Sequence, residues 1–157
     1  MEYIDKKKAC EQIQIKPYKK KELYSYTLGA FPTYELIENE PDKVWKVLVH
    51  SDYTDIENLT KLCKGRGISL EVNNKLINKL SDKENCYVIG IFGKYECKLS
   101  GDKPHVVLVN PSNMGNLGTI IRTIVGFGIY DIAIILPGAD IFNPKTVRAS
   151  MGALFKL

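Results

Sequence analysis

The residues best suited to chemistry fall in one stretch, Asn110-Pro111-Ser112-Asn113-Met114-Gly115-Asn116-Leu117-Gly118-Thr119-Ile120-Ile121-Arg122. It lies between an apolar run and an amphipathic run, as a loop leaving a strand and entering a helix. In α/β proteins ligands bind at such loops, at the carboxyl ends of the strands. Glycines let a backbone approach a ligand closely, and a helix amino terminus offers unpaired N–H groups to an anion. The glycines at 115, 118 and 126 do not give the G-x-G-x-x-G spacing of a dinucleotide fold, and no ribose-binding acid follows the next strand. No Gly-Lys-Ser/Thr follows either, so this is not a P-loop. Arg122 stands between Ile121 and Thr123 in an apolar segment. A charge there either reaches the surface or is paired in a site. From spacing alone both readings stand.

The elements that position this stretch can be read on both sides. Residues 105–109 are a continuous apolar run, as in a parallel strand buried on both faces. Residues 110–118 read as a turn and 119–127 as a helix ended by Gly128. Residues 131–136 form a second buried strand, and Asn143-Pro144 opens another helix with proline at its first position. Strand, helix, strand in this order implies a right-handed parallel crossover.

The first half alternates in the same way. Residues 33–39 read as a short helix with Thr33 as N-cap. Residues 44–49 are a strand, and Ile56, Leu59, Leu62 and Cys63 mark a helix ended near Gly65 and Gly67. Residues 68–72 form a strand. Asn73 or Asn74 caps a helix carrying Leu76, Ile77 and Leu80, and residues 86–92 form a strand. The implied division is a basic extension at 1–23, an α/β unit at 24–99, a linker at 100–104 and a parallel-sheet unit from 105 to 157.

Composition bounds the class. The chain has 157 residues, 45% hydrophobic and 25% charged, which fits a globular protein and excludes a collagen-like or disordered one. No apolar run reaches the roughly 18–20 residues of a membrane span, and the start lacks the apolar core of a secretory signal. The expected location is the cytoplasm. Four cysteines without a C-x-x-C pair and two histidines make neither a zinc site nor a disulfide framework.

The net charge of +4 is uneven. Residues 1–23 carry seven lysines against four acids, with Tyr3 and Tyr18 among them and Tyr24 and Tyr26 just after. Lysines and tyrosines so interleaved can neutralise phosphates and stack on bases. A solvated tail with a few packed tyrosines has the same composition. Residues 11–15 read as a short strand within it.

The stretch at 110–128 resembles the first signature of the SpoU (TrmH-like) RNA ribose 2′-O-methyltransferases. The core of that signature, N-x-G-x-x-x-R, is matched by Asn116, Gly118 and Arg122. Residues 147–155, V-R-A-S-M-G-A-L-F, resemble the family segment that precedes its cofactor loops. Residues 28–37, L-G-A-F-P-T-Y-E-L-I, and the pattern to Phe92 resemble its small substrate-binding domain. The resemblance implies an α/β protein: a small RNA-binding-like domain followed by the first part of a SPOUT-class, trefoil-knot sheet. It implies Asn116 and Arg122 as catalytic residues, with Asn116 organising the loop and the arginine. It also implies S-adenosylmethionine as cofactor, rRNA or tRNA as substrate, and a homodimer for a full family member.

In the family the cofactor loops and dimer-forming segment follow the 147–155 segment. The expectation is therefore an incomplete catalytic domain that names no cofactor-binding residue, needs no metal and holds S-adenosylmethionine poorly by itself. A non-catalytic RNA-binding homologue without the knot is the alternative, and a nucleotide-binding α/β protein of another class is a third.

Overall fold

The computed structural model describes residues 13–157. The expectations for residues 1–12, including Tyr3 and the start of the 11–15 strand, lie outside the described residues.

Four strands build the first sheet: β1 (Tyr24–Tyr26), β2 (Val44–Val49), β3 (Leu70–Val72) and β4 (Val88–Gly93), in the order β1-β4-β2-β3. Strand β4 runs antiparallel to β1 and β2, while β2 and β3 are parallel. Three helices connect them: α1 (Ala30–Asn39), α2 (Ile56–Gly65) and α3 (Asn74–Leu80). A second, two-stranded parallel sheet pairs β5 (His105–Val109) with β6 (Asp131–Ile135), in register from His105 opposite Asp131 to Val109 opposite Ile135. Helix α4 (Met114–Gly126) crosses between these strands, and α5 (Pro144–Ala149) follows β6. Strands β2 and β5 belong to different sheets.

Local chemistry explains most boundaries. The Asn73 side chain accepts the Leu76 N–H at 2.9 Å and caps α3. The Asn143 side chain accepts the Lys145 N–H at 3.0 Å, with Pro144 at the first helical position of α5. Thr33 is not an N-cap. Helix α1 starts at Ala30 after Gly29 at φ 109, so Thr33 sits inside it, fully buried. Its hydroxyl donates to the Gly29 carbonyl at 2.7 Å and lies 2.6 Å from the Thr27 hydroxyl. A threonine inside a helix bonds back four residues in this way.

The arm also departs from expectation. Residues 13–15 are not a strand, and Ile15 is buried against β1 and β4 residues. Tyr24 and Tyr26 are only 2% and 3% exposed, as members of β1, so neither can stack on a base. Their hydroxyls instead accept the backbone N–H groups of Lys16 and Tyr18, at 2.9 and 3.0 Å.

The two sheets share apolar packing. Leu36, Ile37, Val44 and Phe92 from the first half meet Leu117, Ile121, Val147, Leu154 and Phe155 from the second in one buried cluster. Phe155 stands edge-on to Phe92 at 5.2 Å between centroids. Gly152, at φ 78, packs so closely on α1 that a Cβ there would lie 2.6 Å from the Glu35 Cβ. Lys156 pairs with Glu35 at 2.9 Å.

The residues before β5 are tied to β6. Buried Asp131 accepts the Ser100 N–H at 2.7 Å and the Ser100 hydroxyl at 3.1 Å, and lies 4.0 Å from His105. The Ser100 N–H, then the Ser100 hydroxyl and the electrostatic influence of His105 and Lys103, hold the Asp131 carboxyl below its ordinary pKa against the effect of desolvation. A carboxyl with a depressed folded pKa stabilises above its unfolded value, and that contribution disappears as pH falls through the folded one. Urea midpoints measured from pH 7 down to pH 3 should therefore fall more for the wild type than for Asp131→Asn. Parallel curves would contradict this.

Candidate functional site

The site is built on the connection from β5 into α4. Asn110 leaves the strand in the left-handed region at φ 49, and residues 111–113 carry the chain over the sheet end. Asn113 caps α4, its side chain accepting the Asn116 N–H at 2.9 Å. The helix thus begins at Met114, well before the expected 119. Gly115, Asn116 and Gly118 are helical residues, not turn residues. Glycine costs roughly 1 kcal/mol in a helix, so their presence asks for a reason.

For Gly118 the reason is contact. An ideal Cβ at Gly118 would lie 2.5 Å from the Thr146 carbonyl oxygen, 2.6 Å from the Ala149 Cβ and 2.8 Å from the Ser150 nitrogen. Helices α4 and α5 cross there, backbone against backbone. The middle glycine of the N-x-G-x-x-x-R pattern is thus a packing residue. With Gly118 inward, Leu117, Ile121 and Ile124 are buried too. Asn116, Thr119, Arg122 and Thr123 are turned outward.

Asn116 and Arg122 share that exposed side but do not meet. Six helical residues separate them, about 9 Å along the axis and about 120° around it. The expected turn that would bring them together is absent because both are within α4. Among the described residues, neither side chain has a hydrogen bond, and Arg122 has no acidic partner. No acid occurs in α4. Arg122 is therefore a guanidinium without an acidic partner among the described residues, and such a group is suited to binding a phosphate with two donors at once.

The second resembling stretch is largely structural. Val147, Ser150, Leu154 and Phe155 are buried, and the Ser150 hydroxyl donates to the Val147 carbonyl at 2.7 Å. Met151 and Gly152 turn the chain at φ 52 and 78.

The outer face of the sheet differs from expectation. Strand β5 alternates rather than being buried on both faces. Val107 and Val109 are 57% and 71% exposed, and Ile135 and Leu136, at the end of β6, are 50% and 69% exposed. The sheet end beside the 110–113 loop is an open apolar surface. A cleft of about 650 Å³ instead lies beside the amino end of β6, lined by Tyr95, Lys98, Ser100, Lys103, Asp131 and Phe142 among others.

The turn after β6, at Pro137-Gly138, touches the loop ahead of α4, which no spacing in the sequence signals. Ala139 donates its N–H to the Pro111 carbonyl at 2.6 Å, and a Cβ on Gly138 would sit 3.2 Å from Pro111. Residues 138 and 139 thus brace the connection into α4. Among the described residues no three His, Cys, Asp or Glu side chains come together as a metal site requires. No helix of the described residues is long and apolar enough to cross a membrane.

Comparison with known proteins places this geometry. Residues 103–157 match the SpoU rRNA Methylase family. A 52-residue stretch is 38% identical to the 23S rRNA (uridine(2479)-2′-O)-methyltransferase of Streptomyces viridochromogenes, covering 33% of this chain and 18% of that protein. The fold resembles the AdoMet-bound rRNA methyltransferase from Sinorhizobium meliloti, with TM-score 0.67 and 28% identity, over 85% of this chain and 52% of that one. It also resembles the SpoU methyltransferase AviRb from Streptomyces viridochromogenes, with TM-score 0.71 and 20% identity, over 86% and 52%. The chain spans about half the length of these solved structures, and less than a fifth of the curated relative.

Proposed function

We propose that this chain, whose residues 103–157 match the SpoU rRNA Methylase family, serves S-adenosylmethionine-dependent methylation of a ribose 2′-hydroxyl in RNA. The observation that carries the reading is Arg122: a cation without an acidic partner among the described residues, on the outward face of the helix that begins at the sheet end. A ribose 2′-hydroxyl is a weak nucleophile, and its reaction depends on orientation and charge stabilisation more than on a strong base. Arg122 supplies both by donating two hydrogen bonds to a phosphodiester oxygen pair, which fixes the adjoining ribose. Asn116, about 1.7 turns earlier, offers an amide to the same RNA strand.

The relative from Sinorhizobium meliloti is described as AdoMet-bound, which supports the choice of cofactor. The residues described here do not themselves fit that group. Val109, Ile135 and Leu136 present an open surface and not an enclosed adenosine pocket, so no step is routed through the cofactor. The exposed lysines of the arm support a second reading, in which the chain binds RNA without transferring methyl.

The expected RNA surface includes the exposed Lys16, Lys19, Lys20 and Lys21. Each phosphate neutralised on a single strand adds about 0.7 to the slope of log affinity against log salt. Replacing Lys19, Lys20 and Lys21 together by alanine should lower that slope by about 2, read from titrations at several salt concentrations. An unchanged slope would remove the arm from the RNA surface. Incubation with methyl-labelled S-adenosylmethionine and total rRNA separates the two readings: label in RNA supports transfer, and salt-dependent binding without label supports the binding module.

A further inference from the structure

The hydrogen bond from the Tyr18 hydroxyl to the Asp140 carboxylate joins residues 122 positions apart, and it ties the lysine-rich arm to the loop that braces α4. Tyr18 is well fixed at its own end. Its N–H donates to the Tyr26 hydroxyl at 3.0 Å, its ring meets the Tyr26 ring edge-on at 6.5 Å, and Lys94 Nζ lies 4.6 Å from its ring centroid. Burial first, and then the bond to Asp140, push the Tyr18 phenol above its ordinary pKa, so the hydroxyl stays protonated and donates.

At the other end, Asp140 organises its loop at three points. Its second carboxylate oxygen accepts the Phe142 N–H at 3.0 Å, and its carbonyl accepts the Thr146 hydroxyl at 2.9 Å and the Asn143 N–H at 3.1 Å. Two paths lead from there to α4. Thr146 carries the carbonyl that presses on Gly118, and Ala139, next to Asp140, donates to Pro111 just ahead of the Asn113 cap.

We infer that Asp140 is a positioning residue for α4, set from outside by Tyr18, so that RNA held by the lysines around Tyr18 is coupled to the helix carrying Asn116 and Arg122. The coupling to RNA rests on the function proposed above. The positioning role does not, because it is a property of the free protein. A hydrogen bond to a charged carboxylate is among the stronger ones in a protein. Its loss should be felt wherever the loop transmits it.

Amide hydrogen exchange on the whole chain tests this, with Tyr18→Phe, Asp140→Asn and the double variant. Tyr18→Phe should speed exchange at Ala139, Asn116 and Leu117 by about tenfold. Ile77, whose N–H bonds Asn73 in α3, should be unaffected. The double variant should exchange no faster than Asp140→Asn, since the two residues act through one bond. Added rRNA should slow the same amides in the wild type but not in Tyr18→Phe. Acceleration confined to residues 13–18, or equal acceleration at Ile77, would overturn the positioning role. If Asp140→Asn does not fold, Tyr18→Phe decides alone. RNA that binds without slowing these amides would overturn the coupling. A wild type that binds no RNA would refute the RNA reading and the coupling, while the exchange result in free protein would still judge the positioning role.

Discussion

In a form of the protein that binds S-adenosylmethionine, Arg122→Ala is expected to lower the rate of methyl transfer to RNA by about 10²–10³-fold, the usual cost of removing one preorganised donor at developing charge. The fold should survive, because the side chain is exposed and has no hydrogen bond or ion pair among the described residues. A surface substitution of this kind changes stability by no more than about 0.5 kcal/mol. Arg122→Lys keeps the charge but loses the planar pair of donors, so it too should be impaired, though less severely. Single-turnover rates at saturating cofactor and RNA, beside a melting curve for each variant, give both readouts. Full activity in a stably folded Arg122→Ala protein would take away the residue on which the catalytic reading rests.

Gly118→Ala should act in the opposite manner, damaging the fold itself. The new methyl would meet a backbone carbonyl at 2.5 Å and a Cβ at 2.6 Å, and neither is the flexible end of a side chain. Alanine's better helix propensity, worth up to about 1 kcal/mol, offsets part of the clash. The net cost is expected near the top of the overpacking range, about 3 kcal/mol, as the helices are forced apart. For a chain of this size that lowers the melting temperature by roughly 6–12 °C. Gly126→Ala is the control, since it lies in the same helix and a Cβ there would meet nothing within 4 Å. Equal melting temperatures for Gly118→Ala and the wild type would show that the α4–α5 crossing is looser than described.

The alternation of elements was legible because each helix and strand carries its own local marker. The cap at Asn73 and the Asn143-Pro144 start are decided within three residues. The misread elements are those that distant residues decide. Helix α4 begins at Met114 because the Asn113 cap and the α5 crossing outweigh Gly115 and Gly118, whose local preference is a turn. Strand β1 has no alternation to announce it, since all three of its residues are buried. Val107 and Val109 fit a strand covered on both faces, yet only one face is covered here. At the site, spacing and resemblance singled out Asn116, Gly118 and Arg122. Spacing did not reveal that Gly118 serves packing while the other two face outward. The pairing of Tyr18 with Asp140 has no local signal, because each is an ordinary polar residue until the fold brings them together.

The proposed methylation of a ribose 2′-hydroxyl in RNA is tested by locating the methyl group. RNA incubated with the protein and methyl-labelled S-adenosylmethionine is hydrolysed in alkali, which requires a free 2′-hydroxyl at each cleaved linkage. Label recovered in an alkali-resistant dinucleotide, and lost with Arg122→Ala, is the predicted result. Label released in single nucleotides would place the methyl on a base and contradict the account, as would undiminished labelling by the Arg122→Ala protein.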